Sequence, residues 1–151
     1  MPRIVREADV TWGGNLARGA GAMTAATSGA FTALPYSLPT RIGAAERETS
    51  PEELLAAAHA GCFAMSLVSE LTEAGTPPAR LDVRCTITMD EVEGAGHRIV
   101  ASAIEARGQV ADVSQETFAA LAENADAGCP FSHLIRASAS VTVTATLQSQ
   151  A

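Results

Sequence analysis

The sequence predicts an α+β fold in which antiparallel sheets pack on one buried central helix. Runs of strand pattern are followed by helix pattern twice along the chain, rather than strand and helix alternating as in βαβ units. The stretch 54–68 is apolar on nearly every face, broken only by His59 and Ser66, so no single stripe of it can turn to water. The segments 81–90 and 139–147 alternate cleanly between apolar and polar residues, the signature of half-buried strands. At 151 residues and 47% hydrophobic content, the chain reads as one domain, 1–151, able to bury a real core.

In chain order, Ile4 to Trp12 alternates as a strand spoiled by Arg6, and Gly13-Gly14-Asn15 supplies a turn tolerant of positive φ. A weak return strand lies within Leu16 to Thr27, and Ser28-Gly29 turns the chain into a short strand from Ala30 to Leu34. Pro35 and Pro39 bracket a loop that delivers Arg41 just ahead of the central helix. Ser50 is a good N-cap, Pro51 occupies the first helical position, and Glu53, three residues after the cap, completes a capping box. The helix is expected to end near Ala74, with Gly75 as the left-handed residue and Pro77-Pro78 preventing continuation. Ala56, Ala57, Ala58, Ala60, Gly61 and Ala64 keep it thin, so that a neighbouring backbone or a second chain can approach closely.

The second half follows the same grammar. Leu81, Val83, Cys85, Ile87 and Met89 mark one face of a strand, Gly94-Ala95-Gly96 turns it, and His97 to Val110 returns as its partner. Asp112 and Gln115 can cap a helix at either end of its first turn, and Phe118, Leu121, Ala122 and Ala125 form its apolar face until Gly128 stops it. Cys129 precedes Pro130, so a short helix starts there with Phe131, Leu134 and Ile135 on its buried side, before the last strand, Ala139 to Leu147.

A net charge of −7 without any Lys or Arg run argues against sequence-independent nucleic-acid binding. The N-terminus lacks the apolar core of a signal peptide, and the helix at 51 reads as too short and too acid-capped to span a bilayer; the expectation is a cytoplasmic protein without membrane association. Three cysteines are too few for a disulfide scaffold, so the question becomes which thiols react. Cys85, between Val83 and Ile87, reads as a small buried hydrophobe. For Cys62, a structural and a reactive role fit the pattern equally. Cys129, at a helix N-terminus, would face unpaired N–H groups that favour a thiolate, although a capping or structural role fits as well. His59, Cys62, Cys129 and His133 also allow a zinc site or a Cys-His hydrolase dyad; the first lacks a Cys-x-x-Cys knuckle and the second any oxyanion-hole signature.

TSPEELLAAAHAGCFAMSL at 49–67, followed by AENADAGCPFSHLI at 122–135, resembles the OsmC/Ohr (osmotically inducible protein C / organic hydroperoxide resistance) family. The PTR ending at Arg41 resembles its OsmC branch, and the TWGG near Trp12 and the PY at Pro35-Tyr36 extend the likeness over essentially the whole chain. The resemblance implies a thiol-dependent peroxidase that reduces organic hydroperoxides, folded as an intertwined α+β homodimer with two active sites at the subunit interface and no cofactor or metal. By position, it implies Cys62 as the peroxidatic thiol, Cys129 as the resolving thiol, Arg41 as the activating cation and Glu52 as the carboxylate that holds it. A lipoyl-type dithiol is the reductant it suggests, and Cys85 has no role in it.

The chemistry explains those residue types. A free thiol is only a few per cent thiolate at neutral pH, and a nearby guanidinium raises that fraction and donates to the peroxide oxygens. Glu52 and Cys62 are ten residues apart, about 15 Å along a straight helix. One arginine hardly touches both, so the Arg41 and Glu52 serving a given Cys62 are expected to come partly from a second chain unless the helix bends. Phe63, Met65 and Phe131 lead to the expectation that bulky organic hydroperoxides outcompete hydrogen peroxide. The competing functional class is a non-catalytic protein of the same fold, a thiol sensor or small-molecule binder.

Overall fold

The computed structural model describes residues 2–148. They form two compact units, one ending at Pro51 and one beginning at Glu52.

The first unit is a three-stranded antiparallel sheet, β1 (Asp9–Gly13), β2 (Ala20–Thr24) and β3 (Leu34–Tyr36), in that order, followed by a short helix α1 (Leu38–Ile42). β1 begins at Asp9, not Ile4, because its ladder partner there, Thr24, is the last residue of β2. Beyond it the two segments are linked through Glu7 and Thr27. Nor is β1 half-buried; all five of its residues are exposed. The third strand lies later than Ala30–Leu34 because Ala33 takes a left-handed φ of 53° in the preceding turn. Pro35 sits inside that strand, which is tolerated because β3 is an edge. Pro39 lies in the first turn of α1, where a proline costs no hydrogen bond, and Ser37 caps the helix by accepting from the Thr40 N–H. Arg41 is therefore presented by a helix's last turn rather than by a loop.

The second unit is built on α2 (Pro51–Glu73), whose start and end match the sequence expectation closely. Its end is a Schellman motif: the Thr76 N–H bonds to Leu71 O at 2.8 Å, the Gly75 N–H to Thr72 O at 3.0 Å, and Gly75 takes φ 78°. The helix is not buried all round in the single chain. Its buried residues are His59, Phe63, Leu67 and Leu71, a stripe at four-residue spacing, while Met65 is 77% and Val68 39% exposed. At 23 residues α2 is also long and apolar enough to cross a bilayer, so length does not exclude a span as expected. A fully buried, hydrogen-bonded histidine on the core stripe instead marks α2 as a helix that packs within the protein.

β4 (Arg80–Val92) and β5 (Gly96–Gln109) form the expected long hairpin, with a bulge where Val100 has no partner between Thr88 and Met89. α3 (Gln115–Gly128) is capped by Ser114 rather than Asp112 or Gln115. Asp112 lies in the turn at φ 57°, and the Gln115 amide instead ties the helix to the last strand through Ala145 O and the Leu147 N–H. α4 (Pro130–Arg136) leads into β6 (Ser140–Leu147). β6 pairs with β5 in parallel, a departure from the all-antiparallel expectation. A parallel return needs a crossover, and the two helices α3 and α4 provide it. The core of this unit joins Phe63, Leu67 and Leu71 to Ile104, Phe118 and Ala122. On α4 the buried residues are Ser132 and Ile135, whereas Leu134, expected inside, is 66% exposed.

Candidate active site

Cys129 is the joint between two helices. Its N–H bonds to Asp126 O as the C-cap of α3, and its carbonyl accepts the His133 N–H as the N-cap of α4. The side chain caps nothing and is fully buried. On α2 the half-buried Cys62 packs against the same core, with Cys129 its neighbouring thiol. Both are free thiols. The Phe131 N–H, one of the unpaired donors at the start of α4, favours the thiolate form of Cys62. The sequence reading pointed such donors at Cys129; the fold turns this one to the other thiol.

These contacts oppose one another. Burial pushes the Cys62 thiol up, the Phe131 amide pulls it down, and the neighbouring Cys129 thiol pushes it up again, leaving it above the ordinary thiol value. Arg41, the expected activating cation, belongs to the first unit, where it lines a recess of about 50 Å³ with Trp12, Leu16 and Tyr36. The Trp12 and Tyr36 rings meet at 5.4 Å between centroids, forming one wall. Glu52 lies in the first turn of α2.

One turn before Cys62, His59 is fully buried with both ring nitrogens engaged. Nδ1 lies 2.7 Å from Ser102 Oγ on β5, and Nε2 lies 2.9 Å from Ser132 Oγ on α4. A neutral imidazole offers one donor and one acceptor, and each hydroxyl can play either part, so the ring is satisfied without a charge. Burial depresses the His59 pKa, with Asp126 acting against that and Arg136 reinforcing it. Cys85 sits at the edge of this network, 3.2 Å from Ser102 Oγ and 3.8 Å from His59 Nδ1. It is half-buried and packs against the apolar core as expected, with these polar groups on its other side, and burial raises its pKa. The zinc and dyad readings lose their histidines: His59 is held by two serines, and His133 Nε2 faces Ala127 O at 2.9 Å. No group of three or more His, Cys, Asp or Glu among the described residues is arranged to hold a metal.

Residues 43–144 match the family model of OsmC-like proteins. The chain belongs to the OsmC-like family. Within it, the chain is 36% identical over 134 residues to peroxiredoxin OsmC of Escherichia coli, covering 89% of this chain and 92% of that one. In fold it is similar to the organic hydroperoxide resistance protein OhrB of Bacillus subtilis, with TM-score 0.70, 24% identity and 94% and 98% of the two chains covered. It is likewise similar to an OsmC-like protein of unknown function from Vibrio cholerae, with TM-score 0.76, 13% identity and 95% and 99% covered. The family match includes Glu52, Cys62 and Cys129, and Arg41 lies just before its start.

Sequence reasoning missed the Phe131 amide and the two serines. A backbone donor leaves no residue-type signal, and Ser102 and Ser132 are brought to His59 from 43 and 73 residues away. Because folding depresses the His59 pKa below 6.5, the unfolded chain binds the extra proton first, so stability is whole above about pH 6.5 and declines as pH falls toward the folded value. Urea unfolding at pH 7.5 and 5.5 should show this loss, at most about 1.4 kcal/mol for each pH unit below 6.5. A His59→Gln variant, which cannot take up the proton, should show a flatter decline; an equal decline in both would exclude His59 as the source.

Proposed function

We propose that the protein is a thiol peroxidase that reduces organic hydroperoxides to alcohols. One observation carries the reading: two thiols 67 positions apart in the chain (129 − 62) make side-chain contact, and only Cys62 is partly open to solvent. The name of the Escherichia coli relative, a peroxiredoxin, and that of the Bacillus subtilis protein of the same fold, an organic hydroperoxide resistance protein, agree with it.

The Cys62 thiolate attacks the terminal oxygen of the hydroperoxide. An S–O bond forms, the O–O bond breaks, and the departing alkoxide takes a proton to leave as an alcohol. Cys129 then attacks the Cys62 sulfenic acid, forming a disulfide and releasing water, and an external dithiol of the lipoyl type returns both thiols by exchange. Arg41 supplies the positive charge that favours the thiolate, and Glu52 orients it. A reducing compartment, the cytoplasm, suits a cycle in which both thiols must begin reduced.

The working form in this proposal is a homodimer. The exposed apolar face of α2, with Met65 and Val68 beside Ala64 and Leu81, forms an open groove of about 670 Å³ that a second copy covers. A raised Cys62 pKa favours one competing reading, a thiol switch oxidised once without turnover.

Steady-state assays with cumene hydroperoxide and a dithiol separate the two readings. Sustained turnover, faster than with hydrogen peroxide, is expected; it should vanish in Cys62→Ser and drop to a single equivalent in Cys129→Ser. Arg41→Ala should lower kcat/KM by roughly 10²-fold, the scale of losing one preorganised donor. Stoichiometric oxidation alone would leave the switch. For assembly, light scattering should give a dimer for the native chain and a monomer for Met65→Glu; a native monomer would refute the proposed assembly.

A further inference from the structure

The peroxidase chemistry above makes no use of the buried polar network that begins one turn from Cys62. Its members come from four elements: Cys85 on β4, Ser102 on β5, His59 on α2 and Ser132 on α4. His59, Ser102 and Ser132 are each no more than 1% exposed. Three polar side chains in a small core are costly unless all are paired, and here each has its partner. Replacing all three with apolar groups would spare that cost, so the network calls for an explanation beyond packing.

Placement supplies one. α4 has seven residues, and apart from the joint at Cys129 its first turn is fixed by little backbone bonding of its own. Ser132 lies in that turn, three residues after the N-cap Cys129, which packs in the core beside Cys62, and next to Phe131, whose amide favours the Cys62 thiolate. The far end of α4 is tied to α3 separately, through Arg136 to Asp126. The His59–Ser132 bond joins the first turn of α4 to α2 by a side-chain hydrogen bond on the same helix that carries Cys62. The other ring nitrogen is paired with Ser102 of β5.

We propose that His59 is a positioning residue for the Cys62 sulfur: by holding Ser132 it keeps the Phe131 amide on the thiolate and Cys129 beside it. His59 touches neither sulfur in this role and takes no proton in the reaction. The groups facing it are Ser102 and Cys85 from the sheet, Ser132 and Arg136 from α4, and Asp126 from α3. The role deepens the peroxidase reading, yet it is read out without turnover, so failure of one is distinguishable from failure of the other.

The test is the pH dependence of iodoacetamide alkylation, followed by mass spectrometry on the peptide containing Cys62 in the full-length protein. Ser132→Ala should move the thiolate midpoint up by about one pH unit, roughly tenfold slower labelling below it, the scale of one lost N–H to sulfur bond. Ser102→Ala should lower the melting temperature and leave the midpoint in place. At position 59 itself, a glutamine amide reaches where Nε2 stood and an asparagine amide where Nδ1 stood. His59→Gln should therefore keep the native midpoint and His59→Asn should shift it as Ser132→Ala does. A purely structural network would lower the melting temperature in all four variants and move the midpoint in none. That result, or a Ser132→Ala protein that folds with an unchanged midpoint, would overturn the proposal.

Discussion

The start of α4 sets Cys129 against the core that Cys62 of α2 also packs on, with the Phe131 amide on the side of Cys62 where it favours the thiolate. The amide is available because Pro130 restarts the chain as a helix directly after Cys129, leaving the first N–H groups without partners inside α4. It is aimed because Cys129 is at once the last residue of one helix's capping pattern and the first of the next. The parallel β5–β6 pairing belongs to the same solution, since the crossover that carries α3 and α4 over the sheet also sets Cys129 against α2.

The electrostatics of the two thiols follow from this packing. A sulfur half-buried against apolar side chains and a second thiol resists ionisation, and one amide only partly offsets that resistance. The second unit alone thus holds Cys62 as a protected thiol rather than an aggressive nucleophile. The proposed cycle needs a cation to reverse the balance, and Arg41 is the residue assigned to that task.

What the sequence disclosed tracks how local its causes are. The span of α2 was legible because Pro51 and Gly75 mark its ends, and the β4–β5 hairpin because alternation and the Gly94-Ala95-Gly96 turn coincide. Cys62 and Cys129 stood out through motif resemblance together with the proline after Cys129. The misses have non-local causes. β1 is short because its partner runs out at Thr24, β6 is parallel because of where the crossover returns it, and α2 shows one buried stripe because composition records apolarity but not what covers it. Cys85 looked like plain core from its neighbours Val83 and Ile87, and only the fold sets Ser102 and His59 beside it.

The proposed cycle requires the two sulfurs to react with each other. Its most direct measurement is peptide mapping of the reduced protein after one equivalent of cumene hydroperoxide, with unreacted thiols blocked by alkylation before digestion. A single linkage between the Cys62 and Cys129 peptides, with Cys85 recovered fully alkylated, is the predicted result. Cys62 driven to sulfinic acid while Cys129 stays alkylatable, or a linkage through Cys85, would contradict it.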